Sequence, residues 1–210
     1  MVGCHSFDRD QGEEGYFLIS AHILLVHGHV MPLTTRLLAL RGGVPVSPLF
    51  RNILRKLLAE FREDLPDLDG TDRMAVYEAR DRIFLTCLAA RETLYRVISC
   101  ELQEHLSALG TDPSPALQTL ELDQALCPRG GSEHTLQREF NFDANEIYAA
   151  LSSMELPAQS APNDSRQNLQ IRHPGGLGEI LLVADGGSWL RGVIEDVPQI
   201  SSDIEYVAIA

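Results

Sequence analysis

The sequence predicts an α+β protein, in which an N-terminal bundle of about five helices, one of them very long, precedes a small C-terminal antiparallel sheet with one short helix. Apolar residues recur at helical spacing up to residue 127, and a Pro- and Gly-rich run follows at 127–132. Beyond that run the apolar residues alternate with a period of two. We therefore expect a helical domain at 1–127 and an α+β domain at 133–210, which can pack as one unit.

The composition indicates a folded, acidic protein. Hydrophobic residues make up 44% and charged residues 22% of the chain, which is typical of a globular protein. The formal net charge is -13, with acids in excess in both predicted domains. Because phosphate contacts supply most of the affinity of nucleic-acid binders, this charge disfavours general nucleic-acid binding.

The composition also suggests source and location. Among 17 basic residues only Lys56 is a lysine, a bias expected of a GC-rich, bacterial genome. The four cysteines have no CxxC spacing, and four acids lie between positions 8 and 14, where a secretory signal would be basic. The apolar run at 16–26 is too short to span a bilayer. We therefore expect a cytoplasmic protein with reduced thiols and no transmembrane segment.

Two helices, or one kinked helix, are predicted at 13–28 and 33–41. Gly28 and Pro32 interrupt a strongly apolar stretch between them.

The next helix has the clearest pattern. Ser47 is a candidate N-cap and Pro48 a candidate first helical residue. One face is apolar, and its residues are Phe50, Ile53, Leu54, Leu57, Leu58 and Phe61. The other face is polar and basic, with Arg51, Asn52, Arg55, Lys56 and Arg62.

The very long helix is predicted at 72–109, after Thr71 as N-cap. No Gly or Pro interrupts this segment, which would be over about 50 Å long as one helix. The pairs Glu78–Arg82 and Glu92–Arg96 have the favourable i,i+4 order. A shorter helix is predicted from Ser114 to about residue 126.

After the boundary we expect a strand at 138–142, a short helix capped by Asp143 with Glu146 and ending near 151, and a loop at 152–166. Three further strands are predicted at 169–172, 179–184 and 189–194, the last two joined by a hairpin turn. The segment after Pro198 is either an added edge strand or a loose end.

Histidines cluster near the N-terminus and suggest a metal site. His22, His27 and His29 lie, with Cys4 and His5, within the first 29 residues, and these residue types bind zinc, iron and copper. Their spacing matches no standard motif, because residues five apart are about 140° apart around an α-helix. A metal- or haem-dependent helical enzyme that uses this cluster is therefore the alternative to a non-enzymatic role.

The segment 31–62 is the only positive island in the chain, with six basic residues and one acid. Arg51, Arg55 and Lys56 are therefore candidate partner-binding residues. Internal pairing with the acid-rich turn at 60–72 is the simpler interpretation. A second alternative function is a nucleic-acid-binding regulator that uses the helix at 48–62.

Two residues of the predicted C-terminal hairpin, Trp189 and Arg191, are further candidates for partner binding, since Trp and Arg are enriched at interface hot spots.

The linear sequence contains no catalytic signature, so catalytic and cofactor-binding residues stay unidentified. Glu101, Glu104 and His105 have ligand chemistry, but the spacing and the single copy do not match helical di-iron sites. The glycine-rich segment at 173–178 precedes a predicted strand, whereas phosphate-binding loops precede a helix.

We therefore predict a non-enzymatic accessory or adaptor protein that binds a protein or peptide partner, with the edge of the C-terminal sheet as the binding surface. Self-association and association with another protein are both left open.

Overall fold

The computed structural model describes residues 9–127, 134–157, 167–173 and 206–209. Over these ranges the protein is mostly helical, as the sequence predicts for its N-terminal part.

The first helical segment is interrupted near the predicted position. Helix α1 spans Arg9–His22, a five-residue π-helix follows at Ile23–His27, and α2 spans Pro32–Arg41. Gly28 ends the π-helix, and its N–H donates to the carbonyl of Ile23 at 2.7 Å. The predicted kink is therefore a change of helix type followed by a sharp turn.

Helix α3 spans Val46–Glu60 and buries the whole apolar face that the sequence predicts. It begins two residues before the predicted first helical residue, Pro48. Pro45 is the N-cap residue and no side chain caps the helix, so the prediction of Ser47 as the cap was wrong.

The prediction of one very long helix was wrong. The segment forms three helices instead, α4 at Arg73–Glu78, α5 at Arg80–Ala89 and α6 at Arg91–Ala108. The breaks lie at Ala79 and Ala90, with ψ values of 9° and 55°. Because α4 packs on α1, α5 on the π-helix and α6 on α3, the chain must turn twice to bury all three apolar faces.

The cap of this segment also differs from the prediction. Asp72 caps α4 by accepting from the N–H groups of Met74 and Ala75, whereas Thr71 donates its hydroxyl to Asp69.

The basic residues of the two predicted i,i+4 pairs have other partners. Arg82 forms an ion pair with Asp67 at 2.6 Å, and Arg96 pairs with Glu60 at the end of α3. The break at Ala79 separates Glu78 from Arg82, whereas Glu92 and Arg96 lie within the same helix, α6, and Arg96 still pairs with α3.

Two helices near the C-terminal end of the described core begin close to their predicted positions. Helix α7 spans Ser114–Leu126 and α8 spans Ala144–Ser152. Asp143 accepts from the N–H of Glu146, which confirms it as the cap of α8.

Three described strands form one antiparallel sheet in the order β1-β2-β3. They are β1 at His134–Phe140, β2 at Gln167–His173 and β3 at Tyr206–Ile209. In the register, Leu136 lies opposite Ile171. The predicted strands at 179–184 and 189–194 lie outside the described residues.

One continuous core joins the helices to the sheet. It includes Phe140 of β1, Leu151 of α8, and Leu169 and Ile171 of β2, all of which are buried. Helix α8 contacts both α2 and α7. The division into two domains at residue 127 stays a prediction.

Within the described ranges, no single helix combines the length and apolarity that a bilayer crossing needs. The segments Asp10–His27 and Pro32–Arg41 meet that criterion only when taken together, across a bend of 109°.

Candidate functional site

The outer strand of the sheet, β1, presents one face to solvent and one to the protein. Thr135, Gln137 and Glu139 are exposed, whereas Phe140 is fully buried. On the inner face, Arg138 forms an ion pair with Glu121 of α7 at 3.3 Å. The strand is therefore anchored to the bundle through alternate residues.

The edge of β1 away from β2 has no strand partner among the described strands. A row of backbone N–H and C=O groups at such an edge is a template for pairing with another extended segment. The register with β2 covers all seven residues of β1. Among the described strands, β1 is therefore paired along its whole length on one edge only.

The basic face of α3 is paired within the protein. Arg51 donates a hydrogen bond to Glu14 of α1, and Glu14 also lies 3.2 Å from the Nε atom of Arg73. The guanidinium carbon of Arg55 lies 5.9 Å from the centre of the Phe17 ring, within reach of a cation–π interaction.

Lys56 lies between two carboxylates of α6. Its Nζ atom is 2.6 Å from Glu101 and 2.7 Å from Glu104. Hydrogen bonds to these two groups raise the pKa of Lys56. Glu101 is buried and also accepts from the side chain of Asn52 at 2.9 Å. An ammonium group therefore occupies the position where these carboxylates could otherwise hold a cation.

The prediction of internal pairing for this helix is correct for Arg51 and Lys56, but the predicted partners were wrong. The acids lie on α1 and α6 and not in the turn at 60–72, because α3 packs between those two helices.

Two of the three predicted metal ligands meet at the π-helix. His22 precedes it and His27 ends it, and their ring centres are 4.9 Å apart at an interplanar angle of 61°. Partial burial lowers the pKa of His22, and the charge of the neighbouring His27 lowers it by a smaller amount. The predicted separation of 140° was wrong because it assumed α-helical geometry, whereas a π-helix bonds residues five apart.

His29 has a different environment. It adopts a left-handed backbone conformation with φ of 53°. Burial, reinforced by the charges of Arg36 and His27, lowers its pKa to about 4. Among the residues that the structure describes, no group of three or more His, Cys, Asp or Glu side chains could hold a metal ion. The structure therefore brings together His22 and His27 but does not support a site with three ligands.

A buried polar cluster that sequence reasoning missed joins α7 to the start of α2. Asp123 is 1% exposed and accepts hydrogen bonds from the N–H groups of Leu33 and Thr34. Burial raises the pKa of Asp123 to about 7, although these hydrogen bonds act in the opposite direction. Nearby, the buried hydroxyl of Tyr95 donates to the carbonyl of Val30 at 2.8 Å.

The polar groups of this cluster hold helix ends in place. Arg91 donates to the backbone carbonyl of Cys127 at 3.0 Å, which caps the end of α7. Burial raises the pKa of the Cys127 thiol, so this thiol is a poor nucleophile near neutral pH. An apolar helix with a single Asp on its inner face was the only sequence signal for the cluster.

The candidate contact residues Trp189 and Arg191 lie outside the described residues.

Comparison with known proteins finds no relative. No family model matches the sequence, no curated protein matches it, and no solved structure matches its fold.

Proposed function

We propose that this protein is a non-enzymatic accessory or adaptor protein that binds an extended segment of a partner protein as an added strand beside β1. The observation that carries the proposal is the position of β1. It is the outer strand of the described sheet, is seven residues long, and packs on the bundle through its inner face.

The supporting architecture is a small α+β unit that follows the bundle. We propose that residues 133–210 form this unit, with α8 and the antiparallel sheet packed against α2 and α7. The buried residues Phe140, Leu151 and Leu169 support the arrangement, since a short sheet needs such packing to be stable.

The mode of binding follows from backbone chemistry. Main-chain hydrogen bonds to the edge would provide affinity, and contacts to alternate side chains would provide specificity. A strand fixed by packing loses little conformational freedom on binding. The anchoring of Arg138 by Glu121 therefore favours β1 as the receiving edge.

The exposed side chains of β1 indicate the chemistry of the partner. Thr135 and Gln137 are polar and Glu139 is acidic, and the chain carries a net charge of -13. Opposite charges on facing strand positions are favourable and like charges are not. We infer a partner segment with polar residues and at least one basic residue that lies opposite or diagonal to Glu139.

The pairing of basic residues on α3 gives less support to the alternative of nucleic-acid binding. Because Arg51 and Lys56 already pair with acids, their use by a nucleic acid would require breaking those pairs. A partner-binding role for Arg55, Trp189 and Arg191 stays a prediction, as does a cytoplasmic location.

A displayed library of random linear peptides tests the proposal. We expect selected peptides to be extended and basic, and to protect from hydrogen exchange the alternate backbone amides of residues 134–140 that point away from β2. The variant Glu139→Lys should reverse the charge preference of the selected peptides. The variant Gln103→Lys, at an exposed position on α6, adds the same residue away from the sheet and should leave the preference unchanged.

Peptides that bind but protect only helical amides would overturn the proposal. If wild-type protein and Glu139→Lys select the same basic peptides, the side chains of β1 do not determine the specificity.

A further inference from the structure

The π-helical turn creates a pair of histidines that an α-helix would separate. In a π-helix the backbone bonds join residues five apart, as between Gly28 and Ile23. His22 and His27 therefore lie next to each other, one helical turn apart, and both are exposed. Single π-helical turns are rare and occur frequently at functional sites.

We propose that His22 and His27 form a two-imidazole binding site for a borderline divalent transition-metal ion such as Cu²⁺, Zn²⁺ or Ni²⁺. Imidazole is a ligand that all three ions accept, and Cu²⁺ binds most tightly to a given set of nitrogen ligands.

The ring separation fits a shared metal ion. With metal–nitrogen bonds of about 2.0–2.1 Å, two imidazoles on one ion have ring centres about 4.5 Å apart at a right angle and about 5.2 Å apart at a tetrahedral angle. The observed separation of 4.9 Å lies between these values.

Only small side-chain movements are needed. The rings now meet edge to face, and binding requires that one nitrogen of each ring turn toward a common point. The χ2 angle of histidine has a broad energy minimum, so this rotation has a low cost for an exposed side chain. The ring of Phe50, 6.2 Å from that of His22, limits the positions that His22 can adopt.

The coordination sphere defines the type of site. Since the described residues offer no third protein ligand in a common group, the remaining positions would be taken by water or by donors from a partner. Structural zinc sites have four protein ligands. The His22–His27 pair is therefore an open site whose metal exchanges readily.

Metal titration followed by NMR tests the proposal on the full chain. Substoichiometric Cu²⁺ should broaden the ring C–H signals of His22 and His27 before those of the other histidines. Zn²⁺, which is diamagnetic, should shift the same signals with one-to-one stoichiometry.

Single substitutions distinguish one metal ion held by both histidines from metal ions bound independently by each histidine. His22→Ala and His27→Ala should each lower the affinity for Cu²⁺ at least about tenfold, because a second ligand on the same surface raises the effective concentration at the metal. His105→Gln, on α6, removes one imidazole outside the pair and should leave the affinity within about twofold.

Circular dichroism shows whether each variant remains folded, which is expected because both rings are exposed. Equal broadening of all histidines by Cu²⁺ would overturn the proposal, as would an affinity that neither single substitution changes. Either result would mean adventitious surface binding only.

Discussion

Asp123 of α7 caps the first turn of α2 through Thr34, a residue 89 positions earlier in the chain. One carboxylate oxygen, Oδ2, accepts both the N–H of Thr34 at 2.8 Å and its hydroxyl at 2.7 Å. The residue before α2, Met31, has no side-chain cap of its own. Helix α7 thus supplies the cap that the local sequence of α2 lacks.

Removal of this carboxylate should destabilise the protein. Asp123→Ala leaves two buried N–H groups without an acceptor, and we expect it to lower the free energy of unfolding by about 3 kcal/mol. Thr34→Val removes only the hydroxyl donor and should cost about 1 kcal/mol. Urea unfolding measures both changes. Equal effects of the two variants would contradict the capping role.

The stability of the protein should depend on pH through the same carboxylate. Burial raises the pKa of Asp123 from 3.8 to about 7, so between about pH 4 and pH 7 the folded state holds a proton that the unfolded chain releases. The contribution of Asp123 therefore falls as the pH rises through this window.

The comparison with Asp123→Asn isolates this effect from other titrating groups. From pH 4 to pH 7, wild-type protein should lose at least about 1 kcal/mol relative to the variant. A difference between the two proteins that does not change with pH would show that the Asp123 carboxyl titrates alike in the folded and unfolded states.

The turn after the π-helix requires glycine at position 28. A Cβ atom there would lie 2.4 Å from Cε2 of Phe84 and 2.5 Å from the carbonyl oxygen of Leu24. We expect Gly28→Ala to lower the free energy of unfolding by about 2 kcal/mol, because neither neighbour can move freely.

The matched control is Gly15→Ala in α1, where an added Cβ meets nothing within 4 Å. This change should stabilise the protein by about 0.5 kcal/mol through helix propensity. If both variants unfold at similar temperatures, Phe84 does not pack closely against position 28.

At the end of α8, a residue other than glycine occupies a backbone conformation that favours glycine. Met154 adopts a positive φ of 59°, and Glu155 donates to the carbonyl of Ala150 at 2.8 Å, the pattern of a Schellman motif. The side chain of Met154 is 56% exposed, so it gains little from packing. Met154→Gly should therefore raise the free energy of unfolding by about 0.7 kcal/mol.

Met154→Ala keeps the strained backbone while it shortens the side chain, and serves as the control. If the alanine variant is as stable as the glycine variant, backbone strain does not limit stability at this position.

The sequence predicted correctly those features that depend on neighbouring residues. The apolar face of α3 was predicted because its period requires burial of the residues from Phe50 to Phe61. The start of α8 was predicted because Asp143 and Glu146 form a recognisable cap. In both cases the signal lies within one turn or one face of the chain.

The features that were missed depend on contacts between distant segments. No Gly or Pro marks the breaks at Ala79 and Ala90, which packing against α1 and the π-helix imposes. The proximity of His22 and His27 depends on a helix type that the sequence does not signal. The cap supplied by Asp123 requires knowledge that α7 lies beside α2.

Hydrogen exchange at β1 in the presence of a selected basic peptide is the most direct test of strand addition. Alternate amides of residues 134–140, those that point away from β2, should gain protection when the peptide binds. The gain should disappear with a peptide that carries proline at the alternate positions whose N–H would face β1, since proline has no N–H to donate. Unchanged exchange in β1 at saturating peptide would contradict binding at this edge.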